Sequence, residues 1–181
     1  MKISFNHCRY FIFLFFLVLG EKEAQSVQYQ PLKKEGNRDF LVQLEKISIG
    51  GKIFFLELAT DNNSRTKGLM WRKGLRPDQG MLFVFPNKKI RKFWMKHTSF
   101  DITIIFLDDQ REIVDIQEMV AEPAKTKNES LKDYEKRLKS YLSAKPAQFV
   151  IELQGGILQV IDIKIGDKLN LDVKRLKALA E

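Results

Sequence analysis

Apolar and polar positions alternate along much of this chain with the period of two that a strand packed on one or both faces requires. The densest stretch is 80–107, GMLFVFPNKKIRKFWMKHTSFDITIIFL. Residues 81–85 are apolar on both faces, and Pro86-Asn87-Lys88-Lys89 supplies turn residues. Over 90–98 the alternation places Phe93, Met95 and His97 on one side and Trp94, Lys96 and Thr98 on the other. From Phe100 onward, Phe100, Ile102, Ile104 and Phe106 make one continuous apolar face, with Asp101, Thr103, Ile105 and Leu107 opposite. The pattern predicts three successive strands.

Upstream, 40–49 and 52–60 flank Gly50-Gly51, a two-residue loop suited to positive φ, which predicts a hairpin. Asp61 or Asn62 can cap a short helix over 62–70, interrupted at Gly68. Downstream, 111–119 alternates as a strand. Residues 121–128 are polar, and 129–142 is strongly charged with Leu131, Tyr134, Leu138 and Tyr141 or Leu142 at helical spacing. A strand over 148–154 ends at Gly155-Gly156, 157–163 suits a short helix or strand, and 165–168 reads as a turn into a last strand over 169–173. The fold class expected is mainly β (α+β). It is a compact curved sheet or barrel of about seven strands with one short helix and one inserted amphipathic helix. Strands apolar on both faces demand either closure or helix cover.

The first 26 residues stand apart. Lys2 and Arg9 precede an apolar run over 10–19, and Ala24-Gln25-Ser26 offers small residues at a cleavage spacing, so 1–26 reads as a signal peptide or an N-terminal anchor. Residues 27–39 read as a flexible linker, 40–174 as a single domain and 175–181 as a tail. The expected location is periplasmic or extracellular, with membrane contact only through an uncleaved N-terminus. The single cysteine, Cys8, lies inside the leader, so a processed chain has no disulfide, thiolate metal site or cysteine nucleophile. The charge of +8 falls to +7 with the leader removed. Such a charge favours anionic partners, although the lysines are scattered as on a solvated surface and no nucleic-acid motif is visible.

Three motifs, GLMWR at 68–72, GMLFVF at 80–85 and FWMKHT at 93–98, resemble in order and spacing the DUF192 family, small and often exported prokaryotic proteins without an established biochemical function. FLELAT at 55–60, Arg65, PAQFVIEL at 146–153, Gly156 and Gly166-Asp167 extend the resemblance over roughly 45–170. It implies a fold and a location rather than a reaction. The family is shorter around 121–145, which marks that segment as an insertion. Two departures stand out. The family pattern usually has Asn where this chain has His97, and a Pro and an Asp where it has Asp101 and Thr103, so the acid is displaced two places along one face.

The chemistry available is limited. One histidine remains after processing, so a multi-histidine metal site cannot be built, and no metal or cofactor is expected. His97 with Asp101 and Ser64 or Ser99 could be arranged as base, orienter and nucleophile, but no nucleophile elbow surrounds either serine. Glu57 and Glu152 lie within the hydrophobic strands LEL and IEL, where an unpaired carboxylate is costly, and Arg65 and Arg72 are the cations to pair with them. Glu57, Glu152 and Asp101 are therefore candidate buried polar or ion-pair residues. Trp94, Lys96 and Thr98 present an aromatic beside a cation, a surface on which sugars or planar groups stack. The favoured reading is a non-catalytic envelope module that binds a small molecule or anionic polymer through Arg65, Arg72, Trp94, Lys96, His97 and Thr98. The alternatives are a protein-interaction factor working through 129–142 and the basic surface, and a hydrolase using the paired glutamates.

Overall fold

The computed structural model of the chain describes residues 28–31 and 41–181. The leader at 1–26, Phe40 and the linker apart from 28–31 lie outside the described residues. Nine strands, three short α-helices and one 3-10 turn make up the remainder.

The Gly50-Gly51 hairpin forms as expected. Strands β2 (Leu41–Ile49) and β3 (Lys52–Ala59) pair antiparallel with Ile49 opposite Lys52, and both glycines sit at positive φ, 54° and 78°. Within the segment read as a linker, β1 (Gln28–Pro31) pairs with β2. Helix α1 (Asn62–Lys67) follows β3 and is opened by a capping box. Asp61 accepts from the amides of Asn63 and Ser64, while the Ser64 hydroxyl accepts from the Asp61 amide. The chain then enters β4 (Gln79–Lys89), which runs parallel to β3.

β4 carries on through Pro86, where a turn was expected, and its pairing shifts register between Val84 and Lys89, the kind of irregularity at which a strand tolerates proline. The strand expected over 90–98 shrinks to β5 (Lys92–Phe93). Residues 94–98 form an irregular loop instead, because His97 takes a left-handed conformation, φ 53°, which no strand can accommodate. Strands β6 (Ile102–Leu107) and β7 (Ile113–Met119) form a second antiparallel pair. Residues 121–145 hold helix α2 (Leu131–Arg137), half the length its apolar spacing predicts, and β8 (Tyr141–Leu142), which pairs with β5. β9 (Ala147–Gln154) then slots between β4 and β6.

The main sheet runs β1-β2-β3-β4-β9-β6-β7. It is open: β1 and β7 are edges, and the barrel alternative does not form. Cover replaces closure. On one face Ile105, Leu107, Phe149, Ile151 and Leu153 pack beneath the C-terminal segment, where Ile157, Ile161, Leu169, Leu171 and Leu176 are buried. On the other, Ile102, Ile104, Phe106, Phe83 and Val150 pack with Leu69, Met95 and Tyr141. The two faces of β6 thus serve two cores, as the alternation in 100–107 requires. The strand expected over 169–173 is absent. That stretch crosses the sheet irregularly, touching it by a bridge between Glu112 and Lys168, and the tail is helix α3 (Val173–Leu179), with Leu176 fully buried.

Candidate functional site

The parallel pairing of β3 with β4 and the antiparallel pairing of β4 with β9 put Glu57, Met81 and Glu152 in one row across the sheet, and β6 continues it with Ile104. Residues paired across neighbouring strands share a face, so both glutamates point to the side that α1 and the 90–98 segment cover. Between that cover and the sheet lies a groove of about 510 Å3, within the range of small-molecule sites.

Its floor is apolar, with Leu69, Phe83, Phe93 and Ile102, and the Phe93 ring stands edge-on to Phe83 and Phe106 at 5.1 and 5.9 Å. One polar group interrupts the floor. Glu152 is 4% exposed, and its Oε2 is buried with no hydrogen-bond partner among the described residues. Burial pushes its carboxyl up to about 8, opposed only by the charge of Arg72, so at neutral pH the group is mostly a neutral acid. Glu57, two strand spacings or roughly 10 Å away at the Cα positions, has a different environment. Arg72 grips it in a two-pronged ion pair, Nη1 to Oε1 and Nη2 to Oε2, the latter at 2.7 Å. The two glutamates share a sheet face but not a cavity, since Glu57 is absent from the groove walls. The expected ion pair thus forms for Glu57 with Arg72 and not for Glu152.

Arg65 lines the groove mouth, but its guanidinium is consumed by structure. It donates to the main-chain oxygens of Thr60, Val84 and Glu181 and to Asn62 Oδ1, tying α1, β4 and the C-terminal segment together. Arg91 is a second arginine at the mouth, and the sequence reading passed over it. Its guanidinium lies 3.7 Å from the centre of the Phe85 ring, with Arg65 at 5.3 Å from the same ring. Nε donates to Ala147 O at 3.0 Å and Nη2 to Asn87, and Nη1 makes no hydrogen bond among the described residues. Desolvation first, then repulsion from Arg65, brings Arg91 down to about 10. The sequence places four cations between the GMLFVF and FWMKHT motifs, Lys88, Lys89, Arg91 and Lys92, with nothing to single out Arg91.

Trp94, Lys96 and Thr98 all line the groove. Trp94 is 36% exposed at the rim, Lys96 Nζ lies 5.3 Å from its ring, and Thr98 is buried with its hydroxyl on Lys96 O. Lys96 is also ion-paired with Glu135 on α2. His97 lies outside the groove walls. Its ring stacks on Trp71 at 3.8 Å, its amide donates to the Tyr134 hydroxyl, and its carbonyl accepts from the Trp71 amide. Burial, then the neighbouring Lys96, lowers its titration below the ordinary histidine value, so it is neutral at pH 7. Asp101 and Ser64 do not join it. Asp101 accepts from the Ala121 amide just before β6, and Ser64 is committed to the α1 cap. The position 103 to which the family assigns an acid is a fully buried threonine bonded to Glu118, on the sheet face opposite Glu152.

The DUF192 profile, described as "Uncharacterized ACR, COG1430", matches residues 45–171, well over half of the chain. The chain belongs to the DUF192 family. The UPF0127 protein PF1050 of Pyrococcus furiosus is 26% identical over 126 residues, covering 66% of this chain and 90% of that protein. A protein of unknown function from Novosphingobium aromaticivorans superposes with a TM-score of 0.62 at 25% identity, covering 84% of this chain and 99% of that one. A Sinorhizobium meliloti protein proposed as a transcription regulator gives 0.56 at 26% identity, covering 69% and 89%.

The geometry explains why the DUF192 motifs occur together. GLMWR supplies Leu69 and Trp71, GMLFVF supplies Phe83 and Phe85, and FWMKHT supplies Phe93, Trp94, Lys96 and Thr98. The first and third are joined where Trp71, φ 67°, meets His97, φ 53°. Asn is enriched among residues in that left-handed region, which accounts for the Asn of the DUF192 pattern at the position of His97. His is enriched in that region too, and here the imidazole also stacks on Trp71. Trp71, 72% exposed and in a backbone conformation unusual for a bulky residue, was not singled out by the sequence reading.

Proposed function

We propose that this chain is a non-catalytic binding module of the cell envelope that takes a small molecule, or the end of a polymer, into the groove between α1 and the 90–98 segment. The observation that carries this reading is Glu152, a carboxyl group buried on the groove floor with one oxygen lacking a partner among the described residues. Folding gains nothing from such a group, and an unsatisfied buried polar atom is costly, so a partner from outside the chain is its natural complement. Binding is favoured over acid–base catalysis because the other strand glutamate, Glu57, is held by Arg72 away from the groove and provides no second catalytic carboxylate. Export follows from the pattern of residues 1–26 and belongs to the same proposal.

The test is a thermal-shift screen of the protein against organic acids, cell-wall fragments, sugars, nucleotides and inorganic anions. Duplex DNA is included because one structural relative is proposed to regulate transcription. At least one class raises the melting temperature of the wild type, and Trp94→Ala, whose side chain is at the rim, keeps the unliganded melting temperature but loses the shift. If no class shifts the wild type, the groove is not a binding site.

A further inference from the structure

The groove is asymmetric in charge. Its walls carry Arg65, Lys67, Arg91, Lys92 and Lys96, and of these only Lys96 has an acidic side-chain partner among the described residues. The one acidic side chain in the walls is Glu152, which is neutral at pH 7. Arg91 is the most telling of the cations. It is half-desolvated, pressed on Phe85, repelled by Arg65, and bonded only to uncharged oxygens, with Nη1 left over. A guanidinium partly withdrawn from water with no carboxylate on it is, like a buried carboxyl without a partner, open to a partner from outside the chain.

The two incomplete groups mark opposite ends of one path. Arg91 is bonded at Ala147, the first residue of β9, and Glu152 lies five residues along the same strand, roughly 16 Å at the extended-strand rise. The reach of the two side chains leaves a space on the order of 10 Å, walled by Phe83, Phe93 and Trp94.

Building on the groove as a binding site, we propose that its ligand is a carboxylic acid anion with an aromatic or aliphatic body, its carboxylate on Nη1 of Arg91 and a hydrogen-bond acceptor at its far end on the carboxyl of Glu152. The acceptor end is a carbonyl or ether oxygen, since the neutral acid donates a proton to it. An ammonium at that end would instead require Glu152 to ionise among cations.

The charged groups around Glu152 fix the pH behaviour. Arg72, paired to Glu57, is the charge that acts on it, and Arg91, brought down to about 10, still holds most of its proton from pH 7 to 9. His97 titrates below that window. Glu152, pushed up to about 8, changes state within pH 7 to 9.

The experiment titrates five probes into the protein by calorimetry or NMR. These are 4-acetylphenylacetate, its amide, 4-ethylphenylacetate without the carbonyl, 4-acetylphenethylamine, and the zwitterion 4-(aminomethyl)phenylacetate. The first binds tightest, and the amide and the ethyl compound each bind about tenfold more weakly. Its affinity falls as pH rises from 7 to 9, and Glu152→Gln, which keeps a donor, removes that fall. Arg91→Lys weakens the acid and leaves the amide unchanged. Equal binding of acid and amide, or preference for the amine, overturns the ligand class while leaving the groove a binding site. Preference for the zwitterion, with affinity rising with pH, overturns the neutral role of Glu152. Binding by none of the five overturns the ligand class, while the groove reading stands or falls on the wider thermal-shift screen. The comparison among probes is made on the wild type, so it holds whether or not either variant folds.

Discussion

Glu152 is held neutral by burial among Met81, Ile104 and the groove floor, and that has a measurable effect on stability. Its folded-state value of about 8 lies above the ordinary 4.5. Above pH 4.5 the unfolded chain gives up this proton while the folded chain keeps it. The stability associated with the group is therefore complete below about pH 4.5 and is lost as pH rises through about 8. Glu152→Gln is neutral throughout. Urea unfolding of both proteins between pH 4.5 and 8.5 shows the difference moving steadily in favour of the glutamine variant, by roughly several kcal/mol over the range. The presence of a carboxylate within an apolar strand was legible from IEL, but its partner was not. Arg72 lies fifteen residues from Glu57 in sequence, yet it chooses Glu57 over Glu152 because the parallel register of β3 and β4 brings β3 under the GLMWR loop.

At the scale of elements, the segment 121–142 is a clamp on the FWMKHT loop. Tyr134 from α2 is almost wholly buried, its hydroxyl accepts the His97 amide, and Glu135 pairs with Lys96. Leu138 and Tyr141 are buried as well, whereas Leu131 and Leu142 are exposed. The helical stripe was correct in kind and too long in extent. Its C-terminal end becomes β8, because pairing with β5 satisfies the backbone there. Tyr134→Ala removes a buried ring and leaves an amide unpaired, at a cost of about 3–5 kcal/mol. Chemical denaturation measures that loss, and hydrogen exchange speeds up across 93–98 as well as 121–142. Exchange confined to 121–142 would show that the loop is held without the insertion. The strand expected over 90–98 stopped at Phe93 for a local reason: alternation of apolar residues is equally compatible with a loop whose alternate side chains are buried, and nothing in FWMKHT discloses that position 97 is left-handed.

For the whole molecule, two cores share one sheet, and the C-terminal segment closes one of them. Leu176 is fully buried, and the Glu181 amide donates to Thr60 O at the end of β3. Leu176→Ala costs about 2–5 kcal/mol. Because the strands between the two cores are common to both, tryptophan fluorescence from Trp71 and Trp94 and far-UV circular dichroism move together to a lower midpoint. Separate transitions would show that the two faces fold independently.

Local pattern settled a good deal by itself. The Gly50-Gly51 hairpin, the Asp61 cap and the two-faced burial of 102–107 each follow from interactions within a few residues, where turn chemistry and the strand period leave few alternatives. Whether the sheet closes or stays open, which glutamate receives Arg72, and that Arg91 and Glu152 face one groove were decided only in three dimensions. These depend on register between strands far apart in sequence. The same apolar faces could have been buried by closure or by cover, and the C-terminal segment and the α1 loop supplied the cover.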